Sequence, residues 1–285
     1  MPELPEVETV RRALSQVIVG RTIASCWISG QALRGEVPRR LVRALPGRTF
    51  ETPRRHGKYL LLDLDADQTL LSHLGMSGRW LFHSAAPARV PPHVHVRLAL
   101  RDGTTLWFED ARRFGIARLV RTSRLAQDPS LAILGPDPIA TPPRGEALLE
   151  LARGARINVK DFLLDQKRIA GIGNIYASEI LHRTSIDPRR RAGTLRAPEW
   201  DAIAREIVVV LTESIERMGT TFSMYRSLWG EPGAYGEQLR VYDRAGEPCR
   251  RCDTTIRRIV QGQRSTYFCP RCQRRTPAPA ARRSR

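Results

Sequence analysis

The sequence predicts an α+β protein: a leading helix with an antiparallel sandwich or barrel, then a helical region, then a small cysteine module. Three observations carry this. Short strand-like segments separated by turn residues crowd residues 21–120, helical periodicity takes over from about residue 145, and four paired cysteines close the chain at 249–272. With 285 residues there is room for two ordinary domains and one small module.

Residues 5–19 place Val7, Val10, Leu14, Val17 and Ile18 on one helical stripe. Pro5 suits a first turn, and Glu6 and Glu8 stand at the positive end of the dipole. Thr22–Ser29, Lys58–Asp65, Thr69–His73, Trp80–His83, Val94–Leu100 and Thr104–Glu109 read as strands, with Arg101-Asp102-Gly103-Thr104 as a hairpin turn. Few helices intervene, which excludes a doubly wound sheet. Five prolines and two glycines between 128 and 145 interrupt both periods. Helices are expected over 145–153, 157–164, 174–182 and 198–218. The chain therefore divides into 1–127, a linker at 128–145, a helical domain at 146–240, a cysteine module at 241–275 and a disordered basic tail at 276–285.

Lys and Arg number 47 against 29 Asp and Glu, a formal +18. Such an excess suits a polyanion, because each neutralised phosphate releases condensed counterions. Half of it sits in residues 245–285, which hold 11 Arg against Glu247 and Asp253. No run of about 18 apolar residues and no basic amphipathic anchor is present, so no membrane partner is expected. Of the 47 basic residues 44 are Arg, so Lys58, Lys160 and Lys167 stand out. An ammonium can give up a proton where a guanidinium cannot.

The opening Met-Pro-Glu-Leu-Pro-Glu lacks the regions of a signal peptide, and a cytoplasmic, nucleoid-associated, reducing setting is expected. Cysteines there point to metal chemistry, not disulfides. Cys249-x2-Cys252-x16-Cys269-x2-Cys272 has the spacing of two knuckles closing tetrahedrally around one zinc. Four protein ligands leave no open position, so the single zinc ion is expected to be structural. Between the knuckles, an Ile256–Val260 strand and a Gly262 turn would carry Arg257, Arg258 and Arg264 on a ribbon. Cys26, alone in an apolar run, reads as a buried, inert thiol.

Gly171-Ile-Gly173-Asn174 opens an apolar helix, with Asn174 as a good N-cap residue. A dinucleotide fingerprint is excluded, since a helix precedes it and the third glycine is missing. The amides opened by the glycines, together with the helix N-terminus, are expected to grip a DNA phosphate. At the chain start, removal of Met1 would leave Pro2 with a free secondary amine of pKa about 8. Such an amine can attack an anomeric carbon and form an iminium, with Glu3 and Glu6 near enough to move protons. From this segment alone the acidic residues read first as a helix start.

Six motifs in order change that balance: Met-Pro-Glu-Leu-Pro-Glu-Val-Glu, His-Gly-Lys58-Tyr, His73-Leu-Gly-Met76-Ser-Gly, Arg112-Arg-Phe114-Gly, the Gly171–Glu179 stretch and the four-cysteine module. Together, over residues 1 to about 274, the chain resembles the formamidopyrimidine-DNA glycosylase family. The resemblance implies an N-terminal β-sandwich, a helical domain with a helix-two-turn-helix, and a β-hairpin zinc finger. It implies a glycosylase and abasic-site lyase of base excision repair that acts on damaged double-stranded DNA as a monomer. Oxidised purines, 8-oxoguanine and formamidopyrimidines, would be excised through a Schiff base on Pro2, followed by β,δ-elimination.

Carried over residue by residue, Pro2 is the nucleophile, Glu3 the proton donor and acceptor at the sugar, and Glu6 a supporting acid. Lys58 is a proton donor or phosphate-positioning cation, and Arg264 contacts the phosphate being eliminated. His93, Arg112, Arg156, Lys160 and Asn174 hold phosphates, and Met76, Arg112 and Phe114 form the wedge that fills the gap left by the flipped nucleotide. The sister endonuclease VIII branch usually begins Pro-Glu-Gly-Pro-Glu, whereas Leu4 here follows the purine-specific pattern. Residues 220–236 occupy the region folded over the lesion, and their middle departs from the family's wording. Two alternatives stand beside this reading: an oxidised-pyrimidine glycosylase of the sister branch, and a zinc-ribbon protein that binds damage without cutting it.

Overall fold

Helix α1 (Leu4–Val17) begins where Glu6 reaches back to the Glu3 amide (2.8 Å), with a proline in the first turn. It turns Val7, Val10 and Leu14 into the interior. The computed structural model describes residues 1–34, 37–220, 228 and 233–274. Most of the segment expected over the lesion, 221–227 and 229–232, and the basic tail from 275 onward lie outside the described residues.

After α1 come β1 (Ile23–Ile28), the short helix α2 (Leu41–Ala44), β2 (Arg54–His56), β3 (Tyr59–Leu64), β4 (Gln68–His73), β5 (Arg79–His83), β6 (Val94–Leu100), β7 (Thr105–Glu109) and β8 (Ile116–Arg121). They form two four-stranded sheets, ordered β1-β6-β7-β5 and β2-β3-β4-β8, with antiparallel neighbours throughout. Leu60, Leu62 and Leu70 of one sheet share a core with Trp80, Val96, Leu98, Leu106 and Phe108 of the other. Two separate sheets make this a sandwich and not a barrel.

All six expected strands are present. Two more, β2 and β8, escape the period-2 signal for a physical reason. β2 is Arg-Arg-His on a sheet edge, and β8 buries only Ala117 and Leu119 between partly exposed neighbours.

Helices α3 (Gly145–Ala152), α4 (Val159–Leu164), α5 (Asn174–Arg183) and α6 (Ala197–Glu216) follow, close to their expected spans. Their apolar faces make a second core around Phe162, Tyr176, Trp200 and Ile207, which also takes in Leu4 from the first turn of α1. The start of the chain is thus built into the helical half. Residues 128–144 contain neither helix nor strand among them, yet Asp137 pairs with Arg55, which also binds Glu8, and all three side chains are buried. Removing one partner of such a network strands a buried charge, at about 3–5 kcal/mol. The ribbon β9 (Arg257–Gln261) and β10 (Arg264–Phe268) packs through β10 against α5. Among the described residues no helix is long and apolar enough to cross a membrane.

Candidate active site and zinc centre

The turn that joins α4 to α5 receives the beginning of the chain. Gln166 staples it by donating to Leu164 O and Ile172 O and accepting the Gly171 amide. Leu4 N–H then donates to Gly171 O (3.1 Å), and the Glu3 carboxylate accepts the first free amides of α5, Ile175 N–H at 3.0 Å and Tyr176 N–H at 3.5 Å. Gly173 is the N-cap, and a Cβ there would overlap the Glu3 carboxyl carbon. Only glycine allows that approach. The reading of Asn174 as N-cap is corrected: it is the first residue inside the helix. The anion at this N-terminus is Glu3, from 172 residues away, so those amides are not open to a phosphate.

Pro2 is buried beside this junction, while Met1 is half exposed. Lys58, also buried, donates from Nζ to Ile172 O (3.1 Å), the carbonyl next to the one that holds Leu4. Burial raises the Glu3 carboxyl above the ordinary carboxylate range, an effect that Lys58 opposes. Burial likewise lowers the Lys58 ammonium, with Arg264 acting in the same direction and Glu3 against it. A carboxyl raised and an ammonium lowered by burial exchange protons more readily than the free side chains would.

Glu6 is committed differently. Its oxygens accept Glu3 N–H, the Tyr176 hydroxyl (2.6 Å), and both Thr220 N–H and Oγ1 (2.8 and 2.9 Å). It therefore ties α1, α5 and the root of the 220–234 segment together. Thr220 and Ala234 also pair across that root. Tyr176 and Thr220 carried no signal in the sequence, because their role depends on a partner more than 160 residues away.

Met76 and Phe114 are 39% and 46% exposed, on the β4–β5 and β7–β8 loops, with the Arg112 guanidinium 5.1 Å from the Phe114 ring centre. The loops touch: Gly75 has φ +60°, and a Cβ there would overlap the Phe114 carbonyl carbon. Asp110, wholly buried, fastens them by accepting Ser77 Oγ and Gly115 N–H, while Arg112 N–H donates to Ser77 Oγ. His93 is exposed at the start of β6, and its carbonyl takes the Asp110 amide. Met76, His93, Arg112 and Phe114 are thus gathered on one rim. Arg156 lies exposed on the α3–α4 loop.

Lys160 and Asn174, expected at phosphates, are engaged otherwise here. Lys160 is fully buried and donates to Ser265 O and Thr266 Oγ1, and burial pulls its ammonium down to about 8. Asn174 Nδ2 donates to the same Ser265 carbonyl (2.9 Å). Both clamp the residue beside Arg264, which is exposed at the head of β10.

The Sγ atoms of Cys249, Cys252, Cys269 and Cys272 lie within 4.8 Å of one another, with separations of 3.9 Å for Cys249–Cys272, 3.5 Å for Cys252–Cys269 and 3.4 Å for Cys252–Cys272. A tetrahedron of sulfurs about 2.3 Å from zinc has edges of about 3.8 Å, so the four thiolates fit one ion. Cys26, by contrast, is buried and its thiol is pushed up to about 12 by that burial.

Comparison with known proteins agrees with this arrangement. Family profiles described as "Formamidopyrimidine-DNA glycosylase N-terminal domain", "Formamidopyrimidine-DNA glycosylase H2TH domain" and "Zinc finger found in FPG and IleRS" match residues 1–117, 134–226 and 246–275. A formamidopyrimidine-DNA glycosylase of Paracoccus denitrificans is 45% identical over 282 residues, covering 96% of this chain and all of the relative. A Lactococcus lactis mutant enzyme in complex with Fapy-dG containing DNA superposes with a TM-score of 0.87 at 32% identity, over 96% of this chain and all of that one. The wild-type Lactococcus lactis enzyme, solved with oxidised-pyrimidine DNA, matches with the same score, identity and coverage. From the zinc ribbon, the buried N-terminal junction and these full-length matches, the chain belongs to the formamidopyrimidine-DNA glycosylase family.

Proposed function

We propose that this protein excises oxidised purines from duplex DNA and cleaves the abasic strand, with the Pro2 amine as nucleophile once Met1 is removed. The observation that carries the reading is the seating of the chain start. Leu4 is pinned to Gly171, Glu3 to the head of α5, and Lys58 to Ile172, so the residues that follow the buried Pro2, and the carboxylate and ammonium that would serve it, are fixed at one junction.

Pro2 N attacks C1′ of the flipped nucleotide and the bond to the base breaks, the base leaving with a proton. Glu3, ionised at the outset, takes the proton that Pro2 N loses on attack and passes it to the sugar oxygen, and as the ring opens an iminium remains on the proline nitrogen. The iminium acidifies C2′. Loss of that proton expels the 3′ phosphate, and a second proton loss expels the 5′ phosphate. Lys58 and Arg264 supply positive charge to the leaving phosphates. Met76, Arg112 and Phe114 fill the vacated stack, and His93 and Arg156 meet phosphates of the same duplex. Lys160 and Asn174 act by holding Ser265 and so Arg264, and Glu6 acts by anchoring Thr220.

Single-turnover release from matched duplexes, with gel analysis of the ends, tests this. Faster release of 8-oxoguanine and ring-opened purines than of thymine glycol is expected, with a one-nucleotide gap bearing phosphate at both ends. A pyrimidine lesion bound to a relative makes this a difference of rate rather than exclusion. Faster cleavage at thymine glycol, or an intact abasic strand after base release, contradicts it.

A further inference from the structure

His182 lies in the last turn of α5, fully buried, with Nε2 3.5 Å from the Sγ of the equally buried Cys249. Its other ring nitrogen, Nδ1, is buried without a hydrogen-bond partner among the described residues. A neutral imidazole carries one proton, and only Nε2 has an acceptor before it. Proton accounting therefore assigns the Nε2–H tautomer, which leaves a bare lone pair at Nδ1. Four thiolates already complete a tetrahedron, so His182 is no fifth ligand. We propose that His182 donates an outer-sphere hydrogen bond to the zinc-bound Cys249 thiolate, and that α5 thereby sets how tightly the ion is held.

A zinc tetrathiolate carries two excess negative charges. Cys252 and Cys272 share theirs with solvent, and Cys269 Sγ accepts the Cys272 amide (3.4 Å). Cys249 is as fully buried as Cys269, and its charge is relieved by His182. Outer-sphere donors of this kind orient ligands and tune affinity. The same helix accepts the backbone amides of Arg240, Val241 and Tyr242 on Glu179. Its N-terminal amides hold Glu3. One rigid element, with Ile175 and His182 about 10 Å apart along its axis, thus reaches the catalytic carboxylate and the zinc thiolate at opposite ends.

The test uses full-length zinc-loaded protein. Zinc transfer to a chromogenic chelator is expected to run about 10–100-fold faster in His182→Phe and to return close to wild type in His182→Gln, which keeps an N–H donor. Cobalt-substituted protein adds a signature that packing alone does not move. Losing an N–H···S bond raises the sulfur donor level, so the sulfur-to-cobalt charge-transfer band shifts to lower energy in His182→Phe and stays put in His182→Gln. Wild-type release rates in His182→Phe, equal rates in both variants, or an unmoved band overturn the proposal. Should His182→Phe not fold, imidazole nitrogen shifts of the wild-type zinc protein decide. Protonation at Nε2 supports the proposal, and protonation at Nδ1 overturns it.

Discussion

Lys58 and Glu3 have opposite shifts with one cause: each loses hydration for its charged form, and each partly restores it for the other. In the proposed mechanism the working pair is protonated Lys58 with ionised Glu3. Because Lys58 is lowered, its charged form is lost at lower pH than for a free lysine. The alkaline limb of kcat/KM is therefore expected to have its midpoint below the ordinary 10.5. Because Glu3 is raised, the acid limb is expected to have its midpoint above the ordinary 4.5. A pH profile of single-turnover base release checks both, and midpoints at or outside those values contradict the geometry. At this scale the sequence was informative about chemistry and silent about contacts. Pro2, Glu3 and Lys58 are recognisable by residue type and motif, but that Glu3 would cap α5 depends on a pairing 172 residues apart. The burial of Lys160 under β10 was illegible for a related reason, since it depends on a ribbon more than 100 residues later.

Helix α5 joins the two chemistries, and its start is the most sensitive point. In Gly173→Ala the new methyl would occupy the place of the Glu3 carboxyl carbon. Displacing that group by about 1 Å is expected to lower single-turnover release about 100-fold. Duplex affinity and zinc content should stay near wild type, and full activity in this variant would show that Glu3 need not lie where it does. The loops proposed to carry the wedge make a second unit. Asp110→Ala leaves Ser77 Oγ and Gly115 N–H without their acceptor, at about 1–3 kcal/mol each. The expected result is weaker binding to lesion duplex, by about tenfold or more, with trapping at an exposed abasic single strand little changed. Equal losses on both substrates would place Asp110 outside wedge positioning. Periodicity revealed most elements here, and it failed for β2, a polar triplet on a sheet edge, and for β8, which turns only Ala117 and Leu119 into the core.

For the whole molecule, the ribbon is a platform for Arg264, clamped by Lys160 and Asn174 from the helical half. Cys269→Ala removes one thiolate of four. It is expected to release zinc and weaken duplex binding, while the sandwich, with its own core, retains its near-ultraviolet dichroism. Loss of the sandwich signal together with the zinc would contradict independent cores. The broad architecture was legible because periodicity changes near residue 145 and cysteine spacing is a metal rule. The joining of the halves was not, since Leu4 enters the second core and Glu8–Arg55–Asp137 bridges elements far apart in the chain.

The central claim is that the Pro2 nitrogen becomes covalently bonded to the sugar. Borohydride reduction of the protein on a lesion duplex, followed by peptide mapping of the adduct, reads that bond directly, because only an iminium is reduced to a stable link. The account predicts a single adduct on the Pro2 nitrogen of the processed chain, and none in protein that retains Met1 yet still binds the duplex. An undiminished adduct with Met1 retained, or one mapped to Lys58, Lys160 or Lys167, would contradict it.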